Sequence, residues 1–200
     1  PAVTASTGFD ALAHAIEAYT AVLSTPITDM ACERSIKLCG RYLRRAVANG
    51  QDMEARRGMS YASMLSGVAI SVGVVTLCHG LAHTIGGLAG TTHGQTLAAM
   101  TPHTMRLSLK ANPDKFRNIA MLLKGEEGTA SNYKPEESIR EVEKLIKDLE
   151  LNRPLSKQGL AKVDIEAAAD AVIRYMGGSI TNDPSSPERD DIVEIVKSSF

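Results

Sequence analysis

The 200-residue sequence is 44% hydrophobic, enough to bury a substantial core in one compact unit. Its 22 basic and 23 acidic residues nearly cancel and form no long block of one sign, which excludes the electrostatic footprint of a nucleic-acid or anionic-membrane binder and leaves a small molecule as the expected partner. Three cysteines, Cys32, Cys39 and Cys78, are odd in number and contain no CxxC pair, which argues against a disulfide framework or zinc ribbon and points to a reducing, cytoplasmic setting.

Helical periodicity recurs along the chain and alternating Val/Ile-rich runs are nearly absent, so the expected class is all-α, a helical bundle over residues 1–200. Pro1 to Gly8 carry neither an initiator Met nor the plan of a signal peptide, and the chain reads as starting mid-protein. Thr7 is placed to cap a helix that carries Asp10 and runs to about Leu23, where Pro26 breaks it. A second helix is expected from about Thr28 to Asn49-Gly50, and a third from Met53 to about Gly73.

After Cys78, Gly86-Gly87 and Gly90 predict a broken segment, followed by a helix from about Gly94 to Leu109, bent or interrupted near Pro102. Asn112-Pro113 opens another helix through Leu123, and the polar stretch Gly125 to Lys134 reads as a surface loop. Pro135 opens an amphipathic helix to about Leu149, with Ile139, Val142, Leu145, Ile146 and Leu149 at helical spacing. Two further helices are expected, Ile165 to Met176 and Glu188 to Ser198.

From Gly58 to Met105 the sequence contains no Asp, Glu, Lys or Arg, yet four of its five histidines lie there, so this span is expected to be largely buried. Ser, Thr, Gly and His interrupt it too often for any apolar run to approach the roughly 18 to 20 residues that cross a bilayer, and no membrane association is expected. The small residues Ser63, Ser66, Gly67, Ser71 and Gly73 instead suit close packing of central helices around a site.

Asp10 and His14, four apart, share one helical face within reach of a single ion, although such a pair is more often structural. The second cluster comprises His79 and His83 in Cys78-His79-Gly80-Leu81-Ala82-His83, then His93 in Thr91-Thr92-His93-Gly94, with His103 farther on. A single histidine in a core-like stretch is usually a satisfied core residue. Several together repeat the desolvation cost, and one shared metal is the simplest explanation. Neutral imidazoles with a carboxylate suit Fe(II), Zn, Ni or Mn.

The segment Thr4 to Tyr19 contains TGFDALAHAIEAY and closely resembles the TGxDALxHxIEAY signature of iron-type, group III, alcohol dehydrogenases. His79 to Gly94 resembles their HGxxHxxG…HG signature, and the likeness extends through Pro102-His103, Asn182-Asp183-Pro184 and the Ile192-to-Ile195 segment. Phe9 stands where Met is common, Thr92 where Pro is usual, and Gln95-Thr96-Leu97 lacks the familiar Ala-Asn pattern; these departures bear on substrate identity and leave the ligand positions intact.

The resemblance implies the helical C-terminal half of a dehydroquinate-synthase-like two-domain enzyme. It implies a metal, Fe(II) foremost, on Asp10, His14, His79 and His93, with His83 relaying a proton and His103 in a supporting position. It further implies hydride transfer between a small alcohol or aldehyde and NAD or NADP, in a homo-oligomer, the nucleotide being bound by an N-terminal domain absent from this chain. Gly86-Gly87-Leu88-Ala89-Gly90 follows a His-rich helical segment and reads as a bend, not as a phosphate cradle. Glu17 and Tyr19 read as residues that orient or pack the Asp10 helix. The alternatives are a glycerol-dehydrogenase-like or dehydroquinate-synthase-like metal enzyme, which His14 disfavours, and a non-catalytic helical binding domain.

Overall fold

The structure is a computed structural model that describes residues 1–126, 128–159 and 164–200. Among the described residues there are ten α-helices and two short 3-10 turns, with no strand. The helices are α1 (Ala2–Thr20), α2 (Pro26–Ala48), α3 (Met53–Gly73), α4 (Leu77–Ala89), α5 (His93–Ser108), α6 (Pro113–Lys124), α7 (Glu136–Asp148), α8 (Ile165–Tyr175), α9 (Gly177–Thr181) and α10 (Arg189–Ser198). The all-α expectation holds, and α3, α6, α7, α8 and α10 lie close to where periodicity put them.

Helix α1 is the hub: α2, α3 and α5 all pack against it. From Ala5 to Thr20 every side chain except Thr7, Asp10 and His14 is buried. Those three, spaced by three and four, form one stripe left open on an otherwise enclosed helix. Its many alanines let neighbouring backbones approach, while Phe9, Leu12 and Ile16 fill the spaces between them.

Three boundaries differ from the sequence reading. Helix α1 starts at Ala2 and ends at Thr20; Thr7 is not its cap, and its Oγ1 donates back to the Val3 carbonyl at 2.9 Å, as Thr does inside helices. Helix α2 starts at Pro26, which suits the first turn because it has no N–H to leave unpaired, and Thr25 and Thr28 form a reciprocal capping box. The expected break at Gly86-Gly87 does not occur: α4 runs through both glycines and ends where Gly90 takes the left-handed conformation at φ 65°. Burial of Leu81 and Ile85 outweighs the roughly 1 kcal/mol that each helical glycine costs.

Helix α5 likewise continues through Pro102, and the short α9, which the periodicity did not reveal, precedes Asn182. A 3-10 turn, Ala130–Asn132, lies in the expected surface loop, of which residue 127 is outside the described residues. The amphipathic reading of α7 holds, with Ile139, Val142, Leu145 and Ile146 buried and Leu149 following them.

The uncharged span from Gly58 to Met105 is not uniformly buried. On α3, Tyr61, Met64, Val68 and Val72 form a stripe about half exposed. Absence of charge on α3 reflects neutral residues on both faces, and what decides burial is which face meets α1 and α2. Of the small residues on α3, Ser66 and Gly73 serve close packing: Ser66 Oγ lies 2.8 Å from the Ala11 carbonyl, and a Cβ on Gly73 would sit 3.4 Å from the Ala18 carbonyl. Ser63, Gly67 and Ser71 are exposed and do not. The three cysteines are free and buried.

Asn182 joins the two ends of the chain. Its amide donates to the carbonyls of Gly73 and Val75 and accepts from the Leu23 N–H, fixing the turn after α1 against the link between α3 and α4. Among the described residues no single helix is long and apolar enough to cross a membrane.

Gly40 on α2 tests how tightly these helices must approach. An added Cβ would lie 2.5 Å from the Leu123 carbonyl oxygen on α6, a backbone atom that cannot move aside alone. Gly40→Ala is therefore expected to destabilise by about 1–3 kcal/mol, lowering Tm by several degrees in thermal unfolding; an unchanged or raised Tm would contradict this contact.

Candidate metal centre

Asp10 and His14 project from the open stripe of α1, His79 from the first turn of α4, and His93 from the first residue of α5. One ligand atom from each of Asp10, His14 and His79 falls within a 4.8 Å group. Asp10 Oδ1 is the common point: His79 Nε2 lies 3.2 Å away, His14 Nδ1 3.5 Å and His93 Nε2 3.5 Å. The His14 and His79 rings stack with centroids 4.1 Å apart, and His93 is tilted against His79 at 5.4 Å. Of the four residues named as ligands from sequence, Asp10, His14 and His79 thus form one mutually close group, and His93 reaches the same carboxylate oxygen from α5. Oxygen and nitrogen donors in this number fit a divalent first-row ion, and the set includes no thiolate.

His83 joins the same group at its edge. Its ring stacks on His93 with centroids 5.2 Å apart and meets His79 edge-on at 5.8 Å, and it is exposed to solvent. His103 does not join. Ten residues of α5 carry it about 15 Å along the helix axis from His93. There it lines a separate cavity of about 300 Å³ with Glu143, Arg153 and Phe200, so no supporting contact to the cluster follows.

Only one of the clustered imidazoles, that of His79, carries the full cost of desolvation. The His79 side chain is 1% exposed, while those of His14 and His93 retain 21% and 38%. The cluster is open to solvent at His14, His93 and His83 and closed at His79, its one fully buried ring.

Behind His79 stands Glu17, a buried carboxylate on α1 that sequence reasoning put only in an orienting or packing role. Its Oε1 lies 2.5 Å from His79 Nδ1, and its Oε2 accepts from the Thr76 N–H at 2.7 Å, the Thr76 hydroxyl at 3.0 Å and the His79 N–H at 3.3 Å. The N-cap Thr76 makes no side-chain cap bond; Glu17 from α1 accepts from the Thr76 and His79 N–H groups, and Asp183 from the Leu77 N–H. The usable signal was its position one turn after His14, on a helix already marked by Asp10.

The charges of the cluster act on one another. Burial opposes the charged form of Asp10, but hydrogen bonds from His79 and His93 and the nearby imidazoles outweigh it, holding its carboxyl well below the usual range. Burial lowers His14, reinforced by His79, to about 4. For His79 burial works against the charge, yet Glu17 and Asp10 prevail and raise it to about 9. Burial and the neighbouring His79 and His93 push His83 down, which favours its neutral form. Two carboxylates flanking one imidazole therefore create a demand for positive charge at this point.

Two glycines set the helix spacing. Gly80, after His79, lies where a Cβ would be 2.4 Å from Ser179 Oγ, and Gly94, after His93, where it would be 2.2 Å from the Ser6 carbonyl oxygen of α1. The His-Gly pairs in the sequence thus report ligands on helix turns pressed against neighbours.

The model of the family described as Fe-containing alcohol dehydrogenase family, C-terminal, matches residues 4–200. The 1,3-propanediol dehydrogenase of Klebsiella pneumoniae is 36% identical over 201 residues, covering 100% of this chain and 51% of that protein. The NAD-dependent methanol dehydrogenase of Bacillus methanolicus is 35% identical over 200 residues, covering 99% and 52%. A crystal structure of 1,3-propanediol oxidoreductase superposes with a TM-score of 0.91 at 36% identity, over 100% of this chain and 52% of that one. The chain spans about half the length of the curated relatives it matches.

Because Gly94 abuts backbone, Gly94→Ala must push α5 away from α1 and carry His93 with it. The expected outcome is a loss of about 1–3 kcal/mol in thermal unfolding, together with a crystallographic His93 Nε2 to Asp10 Oδ1 distance longer than the present 3.5 Å. Retention of both stability and distance would refute the role given to this contact.

Proposed function

This chain belongs to the Fe-containing alcohol dehydrogenase family, and from that premise we propose that the intact protein catalyses reversible hydride transfer between a small alcohol or aldehyde and NAD(P), using a divalent metal held by Asp10, His14, His79 and His93. The observation that carries the reading is the convergence of three imidazoles on the carboxylate oxygen Asp10 Oδ1. Fe(II) is the proposed metal, with Zn, Ni and Mn the alternatives compatible with an N/O donor set. When bound, the metal supplies Lewis acidity toward the alcohol oxygen and the nicotinamide accepts the hydride.

The chain's own residues supply the setting. Asp10 contributes the carboxylate that partly neutralises the cation, and the three imidazoles complete the cradle. His79 is held from behind by Glu17, so its ring cannot turn away from Asp10. His83 takes the alcohol proton and passes it to solvent, a role supported by its exposed ring against His79 and His93. We assign NAD(P) binding to a domain outside these 200 residues, in keeping with the absence of a strand–glycine loop–helix unit among the described residues.

Two substitutions separate metal holding from proton transfer. His79→Ala is expected to abolish metal retention in elemental analysis, and alcohol oxidation with NAD(P) should fall with it. His83→Gln should keep the metal while reducing kcat by about 10²- to 10⁴-fold. A His79→Ala protein that retained its full metal content would overturn the ligand set; an intact protein without metal-dependent alcohol oxidation would overturn the reading as a whole.

A further inference from the structure

We propose that Glu17 is a positioning residue that sets the tautomer of His79 in the metal-bound protein, keeping the ring's lone pair at Nε2, the nitrogen that faces Asp10. The inference rests on the metal reading above and extends it to a residue that touches neither substrate nor metal.

Donors and acceptors around Glu17 fix the tautomer. An ionised carboxylate can only accept hydrogen bonds. Its Oε2 is occupied by three donors, Thr76 N–H, Thr76 hydroxyl and His79 N–H, at 2.7, 3.0 and 3.3 Å. Its Oε1, 2.5 Å from His79 Nδ1, therefore faces a ring N–H. Without a cation, Asp10 Oδ1 at 3.2 Å favours a second proton on Nε2. A cation bound there would displace that proton. Because a neutral imidazole bears one N–H, the proton that stays is the Nδ1–H held by Glu17, which leaves the lone pair on Nε2. The three donors at Oε2 also keep the carboxylate from rotating, and they belong to the turn that launches α4. One side chain thus fixes both the height of the helix and the proton on its first histidine.

This arrangement makes an unusual demand of an isosteric replacement. In Glu17→Gln the three donors at Oε2 require the amide oxygen there, which turns the amide NH₂ toward His79 Nδ1. That nitrogen must then accept, the ring proton moves to Nε2, and the nitrogen facing Asp10 loses its lone pair. A residue of the same shape, keeping the same cap on α4, would therefore disable the ligand. By contrast Thr76→Val removes one donor from Oε2 and leaves the Nδ1 bond in place.

The test is a Zn(II) titration of the intact protein against a chelator of known affinity, with metal-free thermal unfolding in parallel. Glu17→Gln is expected to weaken Zn(II) binding about 10- to 100-fold. Thr76→Val should lower Tm while holding Zn(II) within about threefold of the unsubstituted protein, a split that a merely structural Glu17 would not produce. Nitrogen-15 NMR of the Zn(II)-loaded, unsubstituted protein gives a readout that needs no variant to fold: a His79 Nδ1–H proton with Nε2 as the ligand supports the proposal, and an Nε2–H overturns it. Equal Zn(II) affinity in Glu17→Gln overturns the tautomer role alone. Absence of Zn(II) binding by the unsubstituted protein overturns the metal reading and this inference together.

Discussion

The buried carboxylate of Glu17 is the constraint on which the cluster of Asp10 and the histidines depends. It leaves α1 one turn beyond His14, crosses to the start of α4, and there accepts hydrogen bonds from two backbone N–H groups, one hydroxyl and the His79 ring. Burying a charge is costly unless each acceptor site is satisfied, and here it is. Because the partners lie on one short turn, the carboxylate has essentially one orientation, and α1 and α4 cannot slide past each other without leaving a buried anion unpaired.

Small residues convert that fixed relation into a converging set of side chains. Helix α1 is enclosed by α2, α3 and α5 apart from the Thr7, Asp10, His14 stripe. Ser66 reaches the Ala11 carbonyl from α3, Gly73 lies on Ala18, and Gly94 on Ser6. With larger residues at these points the helices would stand farther apart, and imidazoles from α4 and α5 would not come within 3.5 Å of the α1 carboxylate.

The same packing divides the titratable groups by depth. Glu17 and His79 form the floor, Asp10, His14 and His93 the wall, and His83 the rim. Burial and like charges hold His14 and His83 in the neutral form, while opposed carboxylates favour charge on His79. The fold thus gathers carboxylates and lone-pair donors in one place, which is what binding a cation requires and what a core packed for stability alone would avoid.

Much of this was legible from residue order. Helical periodicity marked α3, α6, α7, α8 and α10, because a helix with one buried face must repeat its apolar residues every three to four positions. Asp10 with His14, and His79 and His93 with their glycines, stood out because rare, costly side chains recurred in an uncharged stretch. What local pattern could not decide were features set by contact between distant segments. Gly86-Gly87 stayed helical because neighbouring residues were buried, and α3 left a neutral face exposed because α1 and α2 cover only one side. His103 parted from the other histidines because ten residues of helix separate it from His93. Sequence determined which groups were available and on which helices; tertiary structure decided which of them meet, since a shared centre and the carboxylate behind it exist only once α1, α4 and α5 are packed together.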